Sequence, residues 1–361
     1  MKKINFWETD VGLKDFVYQR KIFKENFPNE GNYVIKLQNQ IKKILNVKYC
    51  IALPSCTSAL YLAVKILDLK KNQEILIPNI TFAASANAAF MAGVKIKFVD
   101  VNPETLNIDM SDLRRKINKN TKAIMPVHVS GRACDMRSVM KIAKKKKLHV
   151  IEDAAEALGS WRDNTHCGLF GSIGTLSFNG NKLITTGGGG ALLTNDAELA
   201  HRARHLSTTA KRPHPWAFEH DAVGWNDRLP NINAALGVAQ LEDLDRRLEA
   251  KRQISQRYVQ AFAGLRGVEL LEEPVGCRSN FWMVSLRFTA SDPLTAQAQR
   301  LKLLEAAHEI GILIRPIWTP LHKLPMYFDC PSGLLPVAEN QAARIVNLPS
   351  SPQLMVGWSA T

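Results

Sequence analysis

The sequence predicts an α/β chain: a large, mostly parallel-sheet domain followed by a smaller C-terminal α/β domain. Three observations carry this. Short apolar runs alternate with helical patterns through the first half, and strands buried on both faces read as continuous hydrophobic runs of that kind. After about residue 235 the texture changes to a long charged amphipathic stretch, then further strand and helix patterns. The length, 361 residues, suits about two domains. The expected division is 1–235 and 236–361.

Taken in order, SALYLAVKILDL (58–69) has the apolar stripe of a helix. EILIPN (74–79), KIKFVDV (95–101), KAIMPVHV (122–129) and LHVIED (148–153) read as buried strands. SANAAFMAG and DMRSVMKIAKKKK are the helices between them. In such sheets ligands gather at the carboxyl ends of the strands. Beyond residue 235, ALGVAQLEDLDRRLEAKRQISQRYVQAFAGL predicts one long amphipathic helix with many i,i+3 and i,i+4 charge pairs. SNFWMVSLRF predicts a strand, QAQRLKLLEAAHEIG a helix, and a proline-rich segment follows. No internal repeat or low-complexity segment is evident.

Composition excludes several classes. Hydrophobic residues make up 46% and charged residues 22%, the balance of a globular chain. No apolar run approaches the ~20 residues of a membrane span. The start, MKKINFWETD, lacks the apolar segment of a signal peptide, so a cytoplasmic protein is expected. The six cysteines, at 50, 56, 134, 167, 277 and 330, form no CxxC pair, which points to reduced thiols and no zinc site. The formal charge is +14, and KKKK stands at Lys144–Lys147. That run lies between a helical pattern and a strand with no interleaved aromatics. It therefore reads as a solvated helix end rather than a nucleic-acid surface; a milder use of the charge is to attract an anionic metabolite.

Three segments hold residues that suit chemistry. LHVIED ends a strand on Glu152 and Asp153, either as carboxylates at a ligand site or with Asp153 capping a helix over AAEALGS. SFNGNKLITTGGGG holds Lys182 between a strand-like run and four glycines. A lysine in such a turn is either simply exposed or, if partly desolvated, an amine able to attack carbonyl carbon. LPSCTSALYLAV places Ser55, Cys56 and Thr57 at a helix start, as a simple cap or as a phosphate site on free N–H groups. Together they supply an amine for an aldehyde, a carboxylate for a pyridine nitrogen and an anion site for a phosphate. Those are the needs of pyridoxal 5'-phosphate. The GGGG run is not a nucleotide P-loop, since GxxxxGK[ST] is absent.

EDAAEALGS, SFNGNKLITTGGGG, GWNDRLPNINAALGVAQLEDLD and RPIWTPLHKLPMY occur here in the order and spacing of the DegT/StrS sugar aminotransferases, which the chain resembles from about Tyr33 to Pro352. FNGNK with TTGGGG, and TTAKRPHPW downstream, is most similar to the LegC-like branch. The resemblance implies the aspartate-aminotransferase-like fold (fold type I) of pyridoxal-phosphate enzymes and a homodimer with active sites at the interface. It implies that Lys182 forms the Schiff base and then moves protons, while Asp153 keeps the pyridine nitrogen protonated. Glu156 would lie near the cofactor's 3-hydroxyl and Phe82, in PNITFAASAN, would stack on its ring, unless it is a buried strand-end aromatic. Ser177 and the Ser55–Thr57 turn, with Cys56 between, would bind the phosphate, joined by Asn226 from the neighbouring subunit. Arg228, in the same motif as Asn226, may only brace that loop in the family pattern.

For the substrate, the resemblance points to Arg315, Trp318 and His322, and to His214 and Trp216 of the PHPW loop; Trp318 has packing as its alternative. His128 reads as structural or near the cofactor rather than as a metal ligand. The implied activity is transfer of nitrogen from L-glutamate to the C4 ketone of a nucleotide-linked 4-keto-6-deoxy sugar. UDP-4-keto-6-deoxy-N-acetylglucosamine is expected, on routes to legionaminic-acid- or bacillosamine-type surface glycans. The alternatives are a dTDP- or GDP-linked keto-sugar, a sugar dehydratase on the same fold, and a non-catalytic sugar-nucleotide-binding protein. Lys182 argues against the dehydratase, whose relatives replace it with histidine. The chain departs from the common pattern at Cys56 and Gly188, where many members have Gly and Glu, and at Trp225 in place of tyrosine. Relatives usually continue into another helix after the NLPSSPQL segment.

Overall fold

A computed structural model describes residues 3–25 and 27–355. Its centre is a seven-stranded sheet in the order Tyr49–Leu53, Gly190–Thr194, Ile173–Ser177, His149–Asp153, Thr121–Ile124, Glu74–Pro78, Lys95–Val99. All run parallel except Gly190–Thr194, which is antiparallel to both neighbours. Alternate residues serve opposite faces, as the pleat requires. Ile51 and Leu53 pack in one core with Leu60, Leu62 and Ala63 of the helix Cys56–Ile66. Cys50 and Ala52 pack in the other with Leu37 and Ile41 of the helix Asn32–Leu45. Covering both faces is why the interior positions of these strands are mostly apolar, with polar side chains concentrated toward the strand ends.

Sequence punctuation sets several boundaries. Asp109, Asp135, Asp196 and Asp292 each cap a helix, accepting from the N–H three residues on. Lys144–Lys146 form the exposed last turn of Met136–Lys146, where cations meet the negative end of the helix dipole. The strand expected over 122–129 ends at Ile124. Pro126 has no N–H to continue the ladder, and the chain rejoins it only where Val127 bridges Asp153.

A four-stranded antiparallel sheet follows, in the order Val268–Leu270, Val284–Phe288, Ile345–Leu348, Arg315–Pro316. The helix Pro293–Glu309 packs against it through Ala296 and Ala307. Three expectations need correction. The long helix is two, Asn231–Glu242 and Leu244–Phe262, broken at Asp243 (φ −106°, ψ 13°). Aspartate competes for backbone groups and breaks helices that apolar spacing alone would carry through. The division at 235/236 falls inside the first of these, whose Val238 and Leu241 share a core with Leu37 and Ile41. The chain passes between the two cores along Leu244–Phe262: Leu244 lies in the first, Tyr258 and Phe262 against the second. In SNFWMVSLRF only Val284–Phe288 is strand, because Phe281 takes a left-handed conformation (φ 46°).

Among the described residues no helix is long and apolar enough to cross a membrane.

Candidate active site

Six strands end at one edge of the seven-stranded sheet, and the segments after four of them, following Leu53, Pro78, Asp153 and Ser177, carry the candidate residues. The reversed strand enters there at Gly190, paired with both Leu53 and Ser177. A cleft of about 600 Å³ opens at this edge. It is lined by Ser55, Cys56, Thr57, Phe82, Glu156, Ser177 and Lys182, and also by Arg315 and Trp318.

Lys182 lies in the turn after Ile173–Ser177, its amide donating to the Asn179 carbonyl at 3.0 Å. Its side chain is 12% exposed, and its Nζ is 4.0 Å from Glu156 Oε1. Burial lowers the Lys182 pKa from its ordinary value, while Glu156, Cys56 and Asp153 pull it back up. Burial also pushes Glu156 up to about 7, against the Lys182 charge and a 2.7 Å hydrogen bond from the Ser130 N–H. An amine with weakened hold on its proton therefore faces a carboxyl that titrates near neutrality.

Asp153 is buried at the end of its strand. Oδ2 accepts from the Ser85 hydroxyl at 2.7 Å and Oδ1 from the Ala155 N–H at 3.1 Å. It caps no helix, because AAEALGS forms turns. Its neighbour Glu152 points to the other face, as alternation requires. There it is consumed by Gly168 N–H (2.9 Å), Gly171 N–H (2.6 Å) and His128 Nε2 (3.0 Å). His128 is thus a buried structural residue, and its Nδ1 accepts from the Cys134 N–H.

Ser55 caps Cys56–Ile66, accepting from the Ser58 N–H at 3.0 Å. The N–H groups of Cys56 and Thr57 precede any intrahelical partner and are left for a ligand. Cys56 is no obstruction: its side chain is buried in the core, and burial pushes the thiol pKa up. The four glycines do different things. Gly187 has φ +78°, and a Cβ on Gly189 would overlap the Thr186 hydroxyl. A Cβ on Gly190 would sit 2.5 Å from Cys56 N and 2.6 Å from Ser55 C, which are backbone atoms that cannot yield. Gly188 faces the cleft with nothing nearer than the Pro54 carbonyl at 3.9 Å. Replacing Gly190 with alanine is therefore expected to displace the Ser55–Thr57 turn. Affinity for pyridoxal phosphate should fall by at least about tenfold, the loss of one charge-assisted hydrogen bond, measured by absorbance titration.

The donor set fits pyridoxal phosphate: a nearly buried amine, a fixed carboxylate, free helix N–H groups for a phosphate, and an exposed aromatic, Phe82 (60%), for the ring. That exposure removes the alternative of Phe82 as a buried strand-end residue. Other expected residues lie elsewhere. Asn226 is exposed, in an arm bridged to itself at Thr208–Asn226 and Lys211–His220. Arg228 meets Asn226 Oδ1 and Glu30, so it does brace that loop. His214 and Trp216 are at the tip of the same arm, His214 Nδ1 accepting from the Ala217 N–H. None of these lines the cleft of its own chain. His322 also stands apart from it: Nδ1 meets Asn79 Nδ2 (2.7 Å) and Nε2 meets Glu339 Oε1 (3.1 Å). Trp225, the departure from tyrosine, packs edge-on against Tyr61 with centroids 5.0 Å apart.

Sequence reasoning missed Phe6, Trp7, Asn181, Trp282 and Asn347, which also line the cleft. Phe6 and Trp7 belong to an N-terminal strap pinned by Ile4 to Gly311 and Leu313, and by Thr9 to the Gly180 carbonyl. No local motif announces them.

Comparison with known proteins agrees with this geometry. The sequence model of the DegT/DnrJ/EryC1/StrS aminotransferase family matches residues 13–357. A GDP-perosamine synthase from Escherichia coli O157:H7 is 36% identical, over 98% of this chain and 95% of its own. A UDP-N-acetyl-3-dehydro-alpha-D-glucosamine 3-aminotransferase from Acidithiobacillus ferrooxidans is 32% identical over 90% and 85%. The crystal structure of the aminotransferase TlmJ from Streptoalloteichus hindustanus superposes with a TM-score of 0.93 at 27% identity, covering 98% of this chain and 95% of that one. The chain belongs to the DegT/DnrJ/EryC1/StrS aminotransferase family and is a pyridoxal-phosphate-dependent enzyme of fold type I.

Proposed function

We propose that this member of the DegT/DnrJ/EryC1/StrS aminotransferases moves an amino group from L-glutamate to the C4 ketone of UDP-4-keto-6-deoxy-N-acetylglucosamine. The product would be a precursor of legionaminic-acid- or bacillosamine-type surface glycans. The reading rests on one observation: the Lys182 amine, the Glu156 carboxyl and the helix start at Ser55–Thr57 line the same cleft as Arg315 and Trp318. The reacting groups and the recognition groups share one space.

When bound, pyridoxal phosphate supplies an aldehyde for the donor's nitrogen and a ring that spreads negative charge. The remaining work falls to the chain. Lys182 would hold the cofactor through its amine and, once free of it, would carry the proton from the donor's Cα past the intervening nitrogen to the cofactor carbon beyond. Its lowered pKa leaves more of it neutral and able to do so. Asp153 holds a proton on the pyridine nitrogen, oriented by Ser85 and Ala155. Glu156 would lie beside the 3-hydroxyl and Phe82 would cover the ring, since both line the cleft. Ser55, Cys56 and Thr57 at the helix start and Ser177 hold the phosphate. Arg315 takes the substrate's diphosphate, its planar fork donating in pairs, and Trp318 packs against the sugar.

Asn226 completes the phosphate site, and His214 and Trp216 the sugar pocket, from a second subunit. The arm that carries them is exposed and presents Trp216, Phe218 and Val223, each more than 80% exposed, which suits burial of those side chains in a homodimer. His322 is turned toward Asn79 and Glu339, which hold both of its ring nitrogens. Mixing Lys182→Ala with Asn226→Ala subunits is then expected to restore about a quarter of wild-type activity. About half the dimers are mixed, and each has one intact site. A site completed within one chain gives no restoration.

The substrate is tested with ¹⁵N-labelled L-glutamate and the UDP-, GDP- and dTDP-linked 4-keto-6-deoxy sugars, the product being read by NMR. Label at C4 of the UDP-linked sugar is expected. Label only on the GDP-linked sugar would favour the second reading, a GDP-sugar aminotransferase, which the GDP-perosamine synthase similarity motivates.

A further inference from the structure

Trp282 is fixed from five sides, and no role above uses it. The residue before it is left-handed, and the Trp282 amide donates to Asn280 Oδ1 at 2.9 Å. Asn280 in turn donates to the carbonyls of Glu156 and Leu158, both at 2.9 Å, so this turn is tied to the active-site segment itself. The indole N–H of Trp282 donates to the Asn181 carbonyl at 2.8 Å, next to Lys182. Lys251 Nζ donates to the Trp282 carbonyl at 2.9 Å. The indole also lies nearly parallel to that of Trp318, with an angle of 11° and centroids 6.3 Å apart. On the ring so held, Lys182 Nζ stands 3.7 Å from the centroid.

We propose that Trp282 is a positioning residue whose indole face is the resting place of Lys182 when that lysine is free of the cofactor and protonated. This rests on the reading of Lys182 as the cofactor-bonding amine. The lysine is released in the first half-reaction and must return in the second, on a flexible four-carbon stem that would otherwise sample the cleft. An indole face attracts a cation without a basic atom to take its proton. A carboxylate in the same place would compete for that proton. The indole hydrogen bond to Asn181 fixes the resting place to the same turn that carries Lys182, so the two keep their relation when the cleft fills. The charged and titratable groups facing Lys182 are Glu156 at 4.0 Å, Asp153 and Cys56. Trp282 adds an uncharged partner on the side these leave open.

The test uses the full-length enzyme with its cofactor in the amine form, where Lys182 is free. Lys182 is acetylated competitively across a pH series, and its peptide is quantified by mass spectrometry. Trp282→Leu keeps apolar bulk and removes the π face, so the midpoint for Lys182 is expected to fall by about half to one pH unit. Trp282→Phe is expected to fall by less. A merely space-filling tryptophan predicts the opposite sign: its loss admits water, relieves desolvation and raises the midpoint. An unchanged or raised midpoint in Trp282→Leu overturns the proposal. If that variant does not fold, Trp282→Phe decides, with no fall overturning it. Borohydride reduction of the wild-type aldehyde form separates this from the underlying reading. Cofactor fixed on another lysine removes the role of Lys182 itself, whereas cofactor on Lys182 with no fall removes only the role of Trp282.

Discussion

Lys182→Ala is expected to lower turnover by on the order of 10⁴-fold or more, because one residue supplies both the bond to the cofactor and the proton transfer. The fold should be unaffected. Lys182 is nearly buried and its pKa is lowered, so below its ordinary pKa its charge is better solvated in the unfolded chain than in the folded one. Removing it relieves that cost, and the thermal midpoint is expected to stay level or rise slightly. Calorimetry and steady-state kinetics on one preparation check both halves. A variant with near-normal turnover removes Lys182 from the chemistry, and one that unfolds makes it a structural residue.

The second large effect is at Asp153. Asp153→Asn keeps the shape and both neighbours: the amide oxygen can accept from the Ala155 N–H, and the amide nitrogen can donate to the Ser85 hydroxyl. Only the charge goes. At saturating cofactor, the glutamate half-reaction is expected to slow by on the order of 10²–10³-fold, the usual cost of one preorganised electrostatic partner. Cofactor affinity should change much less, since the phosphate site at Ser55–Thr57 is untouched. Stopped-flow absorbance separates the two. Equal losses in rate and affinity would mean that Asp153 anchors the cofactor rather than tuning its ring.

The residues legible in the sequence are those that a strand end or a helix start delivers to one edge of the sheet. Asp153, Ser177 and the Ser55–Thr57 turn are of this kind, and Lys182 and Phe82 follow within a few residues of such an end. Local pattern is enough there, because parallel topology brings strand ends together whatever the loops do. The reason for Gly190 was not legible: it lies where two backbones touch, a contact between distant segments that only a missing Cβ allows. What could not be read depends on distant chain. Trp282 sits in an apolar run that imitates a strand, and its direction is set by the left-handed Phe281 and by Asn280 reaching to Glu156. Phe6 and Trp7 reach the cleft on a strap pinned some 300 residues away in sequence, at Gly311. His322 shows the converse. It is close in sequence to Arg315 and Trp318, but Asn79 and Glu339 draw its ring away from the cleft.

The most direct test of the central claim is an absorption titration in two stages. The protein is loaded with pyridoxal phosphate, treated with L-glutamate until the aldehyde-form band is lost, freed of glutamate, and then given one nucleotide keto-sugar at a time. Return of the band with UDP-4-keto-6-deoxy-N-acetylglucosamine is the expected result. Loss of the band with glutamate and no return with any 4-keto sugar nucleotide would contradict the proposed acceptor.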